Sequence, residues 1–209
     1  MAAKKSRRKR SAATRDPLDA ALDLFEQQGY AGVDLAGIAE AAGIPLAELL
    51  SQYPSKSALI SGWLGRIDAA MLDAAKTADD ETPRDRLFEV IMGRLDLLAR
   101  RKPLVQGLGR AALGNTDLAC TLGLALRRTL RWMLAAARIE AEGLRGFLIR
   151  RGLAAIYADT LRVWLADPSE DAARTMAHLD KRLRQAASLL GRLPRRGGGQ
   201  AADTVSETH

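Results

Sequence analysis

Seven basic side chains crowd the first fifteen residues: Lys4, Lys5, Arg7, Arg8, Lys9, Arg10 and Arg15, with no acid among them. Cations at this density bind polyanions, because each Lys or Arg that approaches a phosphate releases condensed counterions. DNA, RNA or an anionic membrane surface would satisfy such an arm, and the plain alternative is a solvated tail that only aids solubility. The rest of the chain carries 25 basic and 25 acidic side chains, so the net charge of +7 belongs entirely to the arm. Material for catalysis is scarce. Two histidines, His178 and His209, and one cysteine, Cys120, leave no Cys/His metal spacing, no Ser-His-Asp constellation and no glycine loop with a lysine to cradle phosphate. The expectation is a non-enzyme with no metal and no cofactor. Leu118, Leu122 and Leu124 around Cys120 predict a small core residue rather than a reactive thiol. His178, without partners, reads as a flank or surface residue.

The elements that must carry these groups are helices. Alanine and leucine supply 71 residues against 13 valines and isoleucines, a balance that suits helices and not pleated sheets. No stretch without a charge exceeds nine residues, whereas crossing a bilayer takes roughly 20 apolar ones. The basic N-terminus has no apolar segment behind it, which argues against a secretory signal and for a cytoplasmic protein.

Leu18, Ala21, Leu22 and Phe25 recur at i, i+3, i+4 and i+7, one stripe of a first helix that stops near Gly29. Asp34 offers an N-cap to a second short helix carrying Leu35, Ile38, Ala39 and Ala42, which Gly43 closes in the left-handed position. Pro45 pre-sets a third, Leu46 to Tyr53, and Pro54 terminates it. Two helices joined by a short glycine-centred turn give a helix-turn-helix. Ala20-Ala21-Leu22, Leu24-Phe25, Gly29-Tyr30, Leu35, Ile38-Ala39, Ala42-Gly43-Ile44, Leu49, Tyr53-Pro54-Ser55-Lys56 and Leu59 together resemble the N-terminal domain of the TetR family of transcriptional regulators.

The resemblance implies that the third helix enters the major groove of double-stranded DNA, with a homodimer reading a palindromic operator. Carried onto this sequence, the DNA-contacting residues are Asp34, Leu46, Ala47, Glu48, Ser51, Gln52, Tyr53 and Lys56, joined by Arg7, Arg8, Lys9, Arg10 and Arg15 of the arm. The surface departs from the family pattern. Leu50 and Gln52 replace residues that are often tyrosines, and Glu48 stands where threonine is common. From Asp16 to Pro54 there are seven acids and not one Lys or Arg. Compensation is expected from the arm in the minor groove, from Lys56, and from doubling of contacts in a dimer. Glu48 can accept from cytosine N4 and Gln52 can pair with adenine.

Leu59, Ile60, Trp63, Ile67, Ala70, Met71 and Ala74 extend a fourth helix, which in the family links the two domains. A polar loop, Ala78 to Glu81, marks the boundary, and Thr82-Pro83-Arg84-Asp85 starts the next helix with a cap, an N1 proline and an acid. Further helices are expected from Leu104 to Leu113, Thr116 to about Ala137 and about Leu144 to Ala166, and a last one capped by Ser169 with Glu170 and Asp171 in its first turn. Met176, Leu179, Leu183 and Leu190 lie on a seam of that helix; packing within the protomer is the default, and the homodimer face the sharper expectation. The expected organisation is all-α: a disordered basic arm over 1–15, a helix-turn-helix domain over 16–78, a helical ligand-binding and dimerisation bundle over 82–193, and a flexible tail over 194–209.

A second resemblance covers the C-terminal body. Pro83-Arg84-Asp85-Arg86-Leu87-Phe88, Leu130-Arg131-Trp132-Met133-Leu134, Leu144-Arg145-Gly146, Leu161-Arg162-Val163-Trp164-Leu165 and Thr175-Met176-Ala177 resemble the lipid-binding accessory proteins of ubiquinone biosynthesis. Those share the TetR-like fold, act without DNA and hold an isoprenoid lipid. The resemblance implies an apolar small-molecule or lipid effector with Trp132, Met133, Leu161, Trp164 and Met176 as pocket walls, although such residues at helical spacing also read as core filler. Lys181, Arg182, Arg184 and Arg192, interleaved with leucines, suit an anionic membrane surface or an ordinary solvated face. Two functions follow as expectations: a repressor released by an apolar effector, or a lipid-binding accessory protein that has lost operator recognition.

Overall fold

A computed structural model describes residues 14–75, 81–169 and 171–191, together with nine helices and no strand among them. The arm's Arg7, Arg8, Lys9 and Arg10, most of the boundary loop, Glu170 and the tail lie outside the described residues. Helix α1 (Pro17–Gly32) starts where Asp16 accepts from the Leu18 backbone N–H at 2.8 Å. Gly29, at φ 74°, breaks it as the sequence predicts, and one further turn follows the break. α2 (Leu35–Ala42) is capped by Asp34, which accepts from Gly37 N–H at 2.7 Å, and Gly43 ends it at φ 71°. α3 (Leu46–Gln52) follows at once, and Ser55 caps α4 (Lys56–Ala74) by accepting from Ala58 N–H at 3.1 Å. Side-chain oxygens at three of these four starts, those of α1, α2 and α4, satisfy donors that a helix cannot satisfy itself, while Pro45 opens α3 without one, and these signals make the boundaries readable in the sequence.

α5 (Pro83–Ala99) has its Thr82 cap, and α6 (Lys102–Ala112) and α7 (Thr116–Ala136, capped by Asn115) complete the inner layer. α8 (Gly143–Ala166) and α9 (Ala173–Gly191) pack on it from outside. The core runs unbroken from Leu18, Phe25, Ile38 and Leu49 in the first three helices, through Leu59 and Ile60, to Ile91, Leu95, Leu118, Met133 and Leu179. α1 meets both α4 and α6, so the N-terminal helices rest on the body along two lines.

A charged cluster is sealed into this core. Asp68 of α4 is fully buried and accepts from Arg94 Nε at 2.9 Å, Arg128 Nε at 3.3 Å, and Thr129 Oγ1 at 2.9 and 3.0 Å. Arg94 also donates to the Tyr157 hydroxyl. Helices α4, α5 and α7 therefore meet at one carboxylate, and α8 joins them through Tyr157 and Arg94. Burial raises the pKa of the Tyr157 phenol, which keeps it a neutral partner.

Three expectations are corrected. Cys120 is exposed, because Leu118 and Leu122 turn inward on α7 while Cys120, Gly123 and Leu124 face out. Ser169 does not cap the last helix, which begins at Ala173. Asp167 takes that role: one carboxylate oxygen accepts from Ser169 N and Oγ at 3.1 and 2.6 Å, the other from Thr175 N and Oγ at 3.0 and 2.8 Å. Leu179 and Leu183 of the proposed dimer seam are buried inside the protomer, so they offer a partner nothing. Met176 is half-buried against the same core, and the Leu190 side chain lies outside the described residues.

Candidate nucleic-acid interface and effector cavity

α3 is attached by little. Leu49 is its sole buried residue, while Leu46, Ala47, Glu48, Leu50, Ser51 and Gln52 face solvent. Leu46 and Leu50 are 41% and 40% exposed, unusual for leucines on a seven-residue helix whose other side is anchored. Glu48 and Gln52 share the exposed surface with Ser51, whose hydroxyl donates to the Glu48 carbonyl at 2.7 Å. Tyr53 is half-buried, with its ring set over Gly62. A Cβ there would stand 3.0 Å from Tyr53 Cε1, so the missing side chain makes room for the ring.

Three of the proposed contacts are engaged within the protein. Lys56 donates its ammonium to the carbonyls of Tyr30 and Val33 at 2.8 and 2.7 Å and lies 4.6 Å from the centre of the Tyr30 ring. It closes the turn after α1, so its ammonium is already engaged by two backbone carbonyls. Arg15 donates its backbone N–H to the Ala42 carbonyl at 3.0 Å and pairs with Asp23, so it is fastened to the helix-turn-helix instead of trailing from it. Asp34 is exposed, and its carboxylate is engaged as the α2 cap.

The acid excess of this region is neutralised from outside it. Arg66 of α4 pairs with Asp16 at 2.6 Å. Arg101, between α5 and α6, reaches Asp23 at 2.9 Å and Glu26 at 3.0 Å. Hydrogen bonds from Arg15, and then from Arg101, hold Asp23 below the usual carboxylate range against its partial desolvation. Arg66 and Arg101 lie tens of residues from the acids they meet, where the sequence gives no sign of the pairing. Asp19, Glu40 and Glu48 remain on the exposed surface.

The body holds a cavity of about 600 Å³. Leu87, Leu134, Leu153 and Leu183 form its buried walls, with Ile139, Ile149 and Ile156 beside them; Arg84, Arg138, Glu140 and Arg145 also line it. None of the five pocket residues expected from the sequence lines it. Met133 is wholly buried core, and Trp164 is buried with the Lys102 ammonium 5.1 Å from its ring centre. Trp132 is half-buried beneath the Arg128 guanidinium, and Met176 packs on the core from α9. Leu161 lines a separate, open groove of about 400 Å³ with Gln106 and Arg162. The large aromatic and thioether side chains were consumed as core filler, and the cavity is left where smaller residues, Gly152, Ala186 and Ala187, fail to fill the space.

Residues 18–61 match the model of the bacterial regulatory proteins of the tetR family, and residues 147–190 match that of COQ9. No curated protein matches the chain. Among solved structures, a TetR transcriptional regulator from Nitrosomonas europaea is 27% identical with a TM-score of 0.68, over 82% of this chain and 96% of its own. A TetR regulator from Rhodococcus sp. RHA1 is 23% identical (TM-score 0.58; 83% and 92% covered). FadR of Thermus thermophilus, a TetR family transcriptional repressor solved with lauroyl-CoA, is 19% identical (TM-score 0.54; 89% and 98% covered). The chain is therefore similar to the TetR bacterial regulatory proteins in its N-terminal segment and, in fold, over more than four-fifths of its length, and to COQ9 along α8 and α9.

Proposed function

We propose that this protein is a DNA-binding transcriptional repressor that works as a homodimer and is released from a palindromic operator when an apolar effector enters the body cavity. The observation that carries the reading is α3: a short helix pinned by Leu49 alone, with six residues presented to solvent where a major groove can receive them. Glu48 and Gln52 supply base-edge chemistry, and the arm supplies the phosphate attraction that α3 lacks. The apolar walls of the cavity support a lipid-like effector, and a protein of the same fold, the Thermus FadR, holds lauroyl-CoA.

Electrophoretic mobility shift with the DNA upstream of the protein's own coding sequence tests this over a salt series. Specific complexes that survive competitor DNA are expected. Removing residues 1–13 deletes six cations and lowers the salt slope by up to about five per protomer, while sequence preference stays with α3. A second reading, a lipid-binding accessory protein that acts without DNA, is favoured by the COQ9 match, because α8 and α9 provide much of the cavity wall. Sequence-blind binding that vanishes with the arm would select that reading and remove the first.

A further inference from the structure

The cavity is not uniformly apolar, and arginines outnumber acids in its lining. Three arginines, Arg84, Arg138 and Arg145, line it against one acid, Glu140. Arg84 is paired with Asp85 at 2.7 Å and reaches Asp180 at 3.5 Å. Arg145 is exposed and engages no acid among the described residues. Along α8 from Gly143 to Ala158 there is no acid at all, while Arg145, Arg150 and Arg151 are present. Leu148 and Leu189, 44% and 62% exposed, also line the cavity, so its apolar lining continues out to the surface where Arg145 stands.

The wall itself has been kept thin. Gly152 sits inside a 24-residue helix, where glycine is among the least favourable residues, and a Cβ added there meets nothing within 4 Å. The empty space beside it belongs to the cavity. A neutral hydrocarbon would be satisfied by the leucines and isoleucines and would gain nothing from the guanidinium groups. A cation would be repelled by them. A carboxylate or phosphate matches the planar fork of arginine with two parallel hydrogen bonds.

Resting on the reading of this cavity as the effector site, we propose that its ligand is a single-chain amphiphile with an anionic head, held at Arg145. The chain runs inward between Leu87, Leu134, Leu153 and Leu183 and passes Gly152.

Isothermal titration calorimetry on the full chain, below the micellar range, compares dodecanoate, dodecyl phosphate and dodecanol. At least one anion is expected to bind roughly tenfold more tightly than the alcohol, the gain of one charge-assisted pair, and the tighter of the two anions tells a fatty acid from a phosphorylated lipid. Arg145→Gln should bring that anion to within about threefold of dodecanol and leave dodecanol unchanged. Gly152→Phe, which enters open space, should abolish binding of all three without lowering the melting temperature. Equal affinity for anions and alcohol overturns the head-group assignment and leaves the apolar effector site standing. Anion binding that survives Gly152→Phe places the ligand elsewhere and overturns it as well, as does failure of every probe to bind. The regulator reading is scored separately, by the mobility shift without ligand.

Discussion

Lys56 shows how a residue's neighbours in sequence and its neighbours in space can point to different work. In the sequence it follows α3 within a Tyr-Pro-Ser-Lys run and reads as a phosphate contact. In the fold its ammonium joins the carbonyls of Tyr30 and Val33, more than twenty residues back, and covers the Tyr30 ring. Lys56→Met should therefore destabilise the protein by about 1–3 kcal/mol in urea titration, since two half-buried carbonyls lose their donor. A phosphate-binding lysine would instead leave the unfolding curve alone and reduce the salt dependence of DNA binding. Asp68 and Arg94 were legible in part. Arg94 falls on the stripe of Leu87, Ile91 and Leu98, and Asp68 lies one residue after Ile67 and three before Met71 on the inward side of α4. A charge on each of two apolar stripes is a signal that the two meet, although nothing in the sequence says which pairs with which.

Helices α1 to α7 were legible almost to their ends, because caps, an N1 proline and left-handed glycines announce them locally. The start of α9 was not. Between Asp167 and Asp171 the chain offers several capping oxygens in a row, and the choice of Asp167 depends on Thr175, which sits on the far side of the turn. The same corner is fixed by Asp159 of α8, which accepts from Arg182 at 2.6 and 2.9 Å, from Arg162 at 3.1 Å, and lies 2.9 Å from His178 Nε2. Hydrogen bonds from Arg182, then Arg162, lower its pKa to about 2. A carboxyl whose folded value is depressed contributes its full stabilisation above its ordinary pKa of 3.8 and loses it as pH falls toward 2. Acid titration followed by circular dichroism should show α9 loosening in that window, and Asp159→Asn should remove that part of the pH dependence. His178, read as a bystander, is thus part of the α8–α9 joint.

At the scale of the molecule, the all-α plan and the place of the helix-turn-helix followed from periodicity and punctuation. The cavity did not, because it is defined by where side chains are small, and the sequence draws attention to where they are large. The acids of the N-terminal helices likewise looked like a defect of a DNA-binding surface. Asp23 and Glu26 instead receive Arg101 and fasten that surface to the body. Arg101→Gln should change unfolding free energy by less than about 1 kcal/mol, as for other half-exposed pairs. The same change should erase most of the difference in operator affinity measured with and without dodecanoate, which for coupled sites is typically about 1–3 kcal/mol. An undiminished response would show that the coupling runs through another route. Lys102, the very next residue, donates to the Asp167 carbonyl at 2.6 Å and covers the Trp164 ring at the far end of α8. Consecutive Cα atoms stand about 3.8 Å apart across a rigid peptide plane, so the two grips share one fulcrum. In the proposed repressor, a displacement of the tail of α8 would reach the first helix through a single amide bond, as the two arms of a bell-crank turn on one pin.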